Sequence, residues 1–230
     1  MKKINLLLLF VLFISFKVNA QTYKIDTSEL SFENKLRPCF SVTYDSPAKT
    51  TKSGWSDFFR KSYKIKVKGI GLLSNRDIID AMDVTIGSVS DKRMNMYARV
   101  TDLPNGCELK FFMSFGYDFF IGPKDYPAEF GEMKKILNDF SVKFLNNYYA
   151  SEASSLTKKI KKLERDQRSK KKSIAKNAKK ARKESSAVAT GLEATNNSLQ
   201  REIEEMDREI IKIKDDIESI KVKQGGITRN

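Results

Sequence analysis

Along the first half of the chain, hydrophobic positions alternate with polar ones; the second half changes to a seven-residue beat. Phe40, Val42 and Tyr44 share one side of the stretch 39–45, which predicts a strand. Pro47 suits the first turn of a helix, and Trp55, Phe58 and Phe59 give that helix an apolar stripe facing a core. Alternation returns loosely over 63–71 through Ile65, Val67 and Ile70. Ser74 followed by Asp77 then predicts a short helical cap before a strand over 82–89. The clearest local signal is a hairpin. Met94, Met96, Ala98 and Val100 alternate on one arm, and Leu109, Phe111, Met113 and Phe115 on the other. Pro104-Asn105-Gly106 lies between them, with Gly where positive φ is wanted. A further short strand is expected at 117–121. From Pro127, one helical face gathers Phe130, Met133, Leu137, Phe140 and Phe144, widened by Ile136, Leu145 and Tyr148. A stripe that wide seeks a sheet to cover. The expected class is α+β: a small antiparallel sheet covered by helices, followed by a long C-terminal helical, coiled-coil appendage.

Beyond about residue 150 there is no Pro, and Gly occurs only at Gly191, Gly225 and Gly226. Leu156, Ile160, Leu163, Gln167, Lys170, Ile174, Asn177 and Ala181 step by fours and threes, as a heptad seam does. Three of those positions are polar, so this seam is weak. Leu199, Ile203, Met206, Ile210, Ile213, Ile217 and Ile220 repeat the same steps with every position apolar, which makes a strong seam. The two seams differ in phase by one residue. A helical hairpin removes the mismatch, because its turn resets the phase. Pairing Ile160 with Ile220, Leu163 with Ile217, Ile174 with Met206 and Ala181 with Leu199 keeps a constant sum of residue numbers, as antiparallel partners require. That register places the turn around Thr190, beside Gly191, with Asn197 or Ser198 capping the second arm. A continuous helix and an oligomer-forming helix are the competing arrangements.

Composition changes this picture in two places. The chain carries 43 Lys and Arg against 29 Asp and Glu, for a net charge of +14, and has no His. Without His, the commonest general base, the usual zinc sites and every Ser-His-Asp or Cys-His arrangement are excluded. The charge is also unevenly placed. Lys2, Lys3 and Lys17 lie in a segment read as a secretory signal peptide, residues 1–20. It has a basic start, an apolar run from Ile4 to Phe16, and Val18-Asn19-Ala20 before Gln21. Its loss leaves +11. Residues 158–183 alone hold fourteen basic residues against Glu164 and Asp166, a net of +12, whereas 200–220 nets −4. The basicity therefore belongs to one arm of the appendage.

That arm is the candidate binding surface. Lys158, Lys159, Lys161, Lys162, Arg165, Lys170, Lys171, Lys172, Lys176, Lys179, Lys180 and Lys183 are of the type that neutralises phosphates or other polyanions. The opposing reading is a solvated helix face, partly neutralised by the acidic arm. No aromatic residue interleaves the lysines, so a stacking platform for single-stranded nucleic acid is not predicted. Asp77, Asp80 and Asp83, spaced by three, would share a helix face but lack the pattern of a calcium loop. Trp55, Phe58 and Phe59 are expected in the core, as is the aromatic group Tyr117, Phe119, Phe120, Tyr126 and Phe130. Gly69-Ile70-Gly71 is a fragment of a dinucleotide fingerprint without its third Gly. Export would permit a disulfide, for which Cys39 and Cys107 are the candidates, and the competing reading is two buried thiols.

The sequence thus divides into a signal peptide (1–20), an α+β domain (21–150), a helical arm (151–224) and a flexible tail (225–230). The expectation is an exported, periplasmic or secreted, non-catalytic interaction protein with neither cofactor nor metal and no membrane span after cleavage. Its arm would meet a protein partner or another copy of itself. The alternative is a module that uses the lysine arm to bind an anionic polymer or membrane surface.

Overall fold

The computed structural model describes residues 22–71 and 77–227. The signal-peptide segment, the cap expected at Ser74 and the last three residues lie outside the described residues. In chain order the elements are β1 (Ile25–Phe32), β2 (Lys35–Tyr44), α1 (Ala48–Tyr63), β3 (Ile78–Ile86), β4 (Ser90–Leu103), β5 (Gly106–Ser114), α2 (Pro127–Ala181) and α3 (Ser186–Gly225). The five strands form an antiparallel sheet in the order β1-β2-β5-β4-β3, followed by the long helices. This is the expected α+β class with a helical appendage. Three tight hairpins build the sheet, and α1 carries the chain from β2 to the far edge at β3.

The predicted hairpin is β4–β5, with Asp102 opposite Cys107 and Met96 opposite Met113. Gly106 has φ +148, and a Cβ there would lie 2.0 Å from the Tyr44 carbonyl oxygen, so only glycine fits. Strand β1 gave no comparable signal, because its eight residues hold only Ile25, Leu30 and Phe32 as apolar side chains. Its turn to β2 uses Glu33 and Asn34 at φ 52 and 59 without any glycine to mark it. The loose alternation over 63–71 does not make a strand. α1 runs through Tyr63 and ends at Lys64 in the left-handed region, and Ile65 N–H donates to Phe59 O at 3.2 Å. Only the isolated bridge between Lys68 and Asp80 remains of that expectation. The strand expected at 117–121 likewise reduces to one bridge, Phe120 with Ser114.

Helices α1 and α2 cover one sheet face. Phe40 stacks on Phe130 at 4.1 Å, Trp55 meets Phe111 and Phe140 at 5.1 and 4.8 Å, and Tyr44 meets Phe144 at 5.5 Å. Each such aromatic contributes about 2 kcal/mol by leaving water. Trp55, Phe58 and Phe59 are core, as their spacing predicts. The opposite face holds a smaller cluster of Leu30, Cys39, Tyr97, Phe112 and Phe120, with Phe32 and Ile78 against it. Phe120 arrives on the segment after β5. The Arg37 guanidinium lies 4.1 Å from its ring centroid and donates to Asp118 at 2.7 Å. Hydrogen bonds from Lys35 and Arg37 hold the Asp118 carboxyl below its ordinary pKa. Phe120 and Phe130 are therefore core, but Tyr117 and Phe119 are 95% and 59% exposed, against the expectation for that group.

Among the described residues, those from Thr22 to Asn146 form one compact unit together with 225–227, and Asn147–Gln224 form a second; the division falls inside α2. In the second unit, α2 and α3 run antiparallel. Every seam position named above, from Leu156 to Ala181 and from Leu199 to Ile220, is buried or half-buried. The heptad phase is therefore as expected, but the register is not. Ile160 clusters with Ile210 and Ile213 rather than with Ile220, seven residues earlier on α3. The turn moves with it, to residues 182–185. Gly191 sits inside α3, and Asn197 and Ser198 are helix interior rather than caps.

The polar seam residues decide this. In the expected register, Gln167, Lys170 and Asn177 would face Ile213, Ile210 and Ile203. Lys214 would replace Asp207 beside Gln167 and Ile203 would replace Asn196 opposite Asn177, while Glu209 would take the place of Glu202 beside Lys170. Sliding by one heptad lets Gln167 Nε2 donate to Asp207 Oδ1 at 2.8 Å and to Ile203 O at 3.2 Å. Lys170 then pairs with Glu202, and Asn177 Nδ2 donates to Asn196 Oδ1 at 3.1 Å. Polar seam residues commonly select register in this way at a cost in stability.

Two measurements check these points. Gly106→Ala should lower the unfolding free energy by about 2 kcal/mol or more in urea titration, since backbone must move to admit the methyl. Cysteines at 177 and 196 should cross-link within one chain under mild oxidation, while a pair at 160 and 220 should not.

Candidate functional site

A helix whose inner stripe is committed to a partner helix has one face left for anything else. On α2 the heptad position opposite the seam is occupied by Lys158, Arg165, Lys172 and Lys179, at successive seven-residue intervals, and all four are exposed. Seven residues rise about 10 Å along a helix, so these cations form an evenly spaced line. The positions on either side of the line hold Lys161, Lys162, Arg168 and Lys176, all exposed, with Ser169 and Ala175 completing the face; Arg182 and Lys183 follow in the turn, where Lys183 is exposed and Arg182 half-buried. Neither acid of this stretch lies there. Glu164 and Asp166 are half-buried beside the seam. The signs are thus sorted around α2, acids inward and bases outward.

The acidic helix neutralises little of this. Lys159 pairs with Glu209 at 2.7 Å and Lys170 with Glu202. None of the four cations opposite the seam has an ion-pair partner among the described residues. Of the candidate polyanion-binding residues, Lys158, Lys161, Lys162, Arg165, Lys172, Lys176 and Lys179 lie on the outward face, and Lys183 lies exposed in the turn that follows. Lys171 and Lys180 lie beside the seam but are exposed, whereas Lys159 and Lys170 are engaged with α3. Composition located the charge; that it is sorted onto one face depends on which stripe α3 covers.

The strong apolar seam is spent within the chain. Ile203, Ile210 and Ile213 are buried, and Leu156, Leu163 and Ile217 pack against Ile160, Ile210 and Ile213. Among the described residues no isoleucine stripe remains open for a partner's helix to complete.

Other candidates resolve differently. Asp77, Asp80 and Asp83 do not share a helix face. Asp77 precedes β3 and pairs with Arg99 at 2.8 Å, Asp80 lies opposite Tyr97, and Asp83, with φ 58 at a bulge, pairs with Arg93. Among the described residues no group of three or more His, Cys, Asp or Glu is placed to hold a metal ion. No described helix is long and apolar enough to cross a membrane.

Cys39 and Cys107 are free and do not form the disulfide considered above. Cys39 lies in the cluster with Phe112 and Tyr97 on one sheet face. Cys107 is opposite Tyr44, on the face toward α1, with its Sγ 3.1 Å from Thr51 Oγ1. Neighbouring strands bring two Cys together only at matching positions on one face, and these differ in both respects. Burial pushes the Cys39 thiol up to about 11 and raises that of Cys107.

No protein-family model and no curated protein matches the chain. Among solved structures, CalU16 from Micromonospora echinospora is similar over 54% of this chain and 86% of its own, at 15% identity and a TM-score of 0.30. A likeness at that level carries no argument about function.

The thiol state is directly measurable. In denaturant without reductant, a colorimetric thiol reagent should count two free thiols. In native protein at neutral pH both should react slowly, because burial keeps them protonated. A count of zero in denaturant would restore the disulfide.

Proposed function

We propose that the chain is an exported, non-catalytic interaction protein in which the α+β unit carries the helical arm and the outward face of α2 does the binding. One observation carries the reading: eight exposed cations cover the side of α2 opposite its seam, and no acid lies among them. In this reading the coiled-coil seam holds the arm together, and contact with a partner is electrostatic rather than apolar. The partner class is anionic.

This reading favours the anionic-surface alternative over partner-helix capture, because the isoleucines that would draw in a second chain are already packed against α2. The fold would then serve as a carrier. No substrate, cofactor or turnover is required of it.

The test is retention on immobilised heparin. Full-length protein should bind in low salt and elute steeply as salt rises, because each neutralised cation releases counterions. Removing residues 156–223 should abolish retention. Equal retention of that shortened chain would transfer the binding to the α+β unit and refute the proposal.

A further inference from the structure

We infer that the anionic partner of the α2 face is a phospholipid surface, met by the helix lying flat on it; this rests on the reading above and names its partner. Three properties of the helical pair point there. The first is shape. The line of Lys158, Arg165, Lys172 and Lys179 runs along a convex helix and turns about its axis by only about 20° per heptad, with a reach of roughly 30 Å from first to last. A plane touches a convex cylinder along its whole length. A nucleic-acid duplex is itself convex, and its phosphates spiral away from a straight line, so only part of the row would engage. A flexible anionic chain has to be straightened to follow the row, at a cost in conformational entropy that a preformed surface does not carry.

The second property is polarity across the pair. The outward face of α2 is cationic, while residues 200–220 of α3, packed against its other side, net −4. An anionic plane attracts one side and repels the other, so the pair has one preferred way to lie. The third is chemistry. The α2 face carries no aromatic or large aliphatic side chain, which excludes base stacking and sugar stacking. Attachment is by ammonium and guanidinium groups to lipid phosphates, without insertion into the acyl region. It depends on the surface potential and decays within a Debye length.

The experiment is co-sedimentation of the full chain with vesicles of phosphatidylglycerol and phosphatidylcholine in equal parts, across a salt series, with pure phosphatidylcholine as control. Binding is expected to the anionic vesicles alone, falling steeply with salt. Reversing the four cations together (K158E, R165E, K172E, K179E) should weaken it by more than about a thousandfold, the factor expected from losing four surface cations, because four repulsions are added. Replacing the three lysines by arginine should leave it intact. Circular dichroism of both variants checks that the helices persist. Should charge reversal unfold the arm, the four residues are changed to glutamine instead, and loss of vesicle binding in that folded variant carries the same meaning. Vesicle binding that survives the loss of all four charges overturns the inference. So does retention on heparin or duplex DNA with no vesicle binding, and that outcome leaves the broader anionic-partner reading standing. Failure to bind heparin as well would remove both.

Discussion

The carboxamide of Gln167, 7% exposed in the seam between α2 and α3, needs hydrogen-bond partners, and the observed alignment of the two helices supplies them in Asp207 and the Ile203 carbonyl. That requirement organises the rest of the arm. With Gln167 on Asp207 and the Ile203 carbonyl, Asn177 reaches Asn196 and Lys170 reaches Glu202. The isoleucines Ile210 and Ile213 come to rest on Ile160. An unpaired buried amide costs about 1–3 kcal/mol, and the expected register would take the side-chain partner from two amides, Gln167 and Asn177. These two amides are therefore the seam's means of specifying register.

Register has a consequence for the surface. Once the seam is assigned, the opposite side of α2 is assigned too, and it carries four cations in line with flanking Lys and Arg. Exposed ion pairs of the kind made by Lys159 and Glu209 contribute only a few tenths of a kcal/mol. Charge matching between the arms therefore contributes little to stability, and the outward lysines are not needed to hold the pair together. Their concentration on one face separates two tasks within one helix: apolar and amide groups join α2 to α3, and charge is turned outward.

The α+β unit shows a similar economy on its two sheet faces. One face is covered by α1 and α2 through large aromatic contacts centred on Trp55 and Phe140. On the other, Phe32 and Phe120 pack against Tyr97 and Phe112, with Arg37 over the Phe120 ring and Asp118 joining Arg37 to Lys35. The two cysteines divide between these faces, which is why a pair that export would allow to bridge stays reduced.

Much of this was legible from residue order alone. Alternation and a turn tripeptide located β4, β5 and Gly106, and helical spacing located the core positions of α1 and α2. The seven-residue beat named the inward positions from Leu156 to Ala181 and from Leu199 to Ile220, but not Asn196, which pairs with Asn177. These are local properties: a side chain's face follows from its number once the period is known. What failed was non-local or unmarked. β1 has too few apolar residues to alternate visibly. The loop at 63–71 resembled a strand because its isoleucine and valine are buried without a ladder. Gly191 drew the turn toward itself, although a single helical glycine costs only about 1 kcal/mol and does not by itself end a helix. The heptad slip is the most instructive case, because periodicity is unchanged by a shift of one full period. Sequence determined which residues face inward; only the packed pair decided opposite whom, because a buried amide must find a specific partner in space while a repeat specifies only a face.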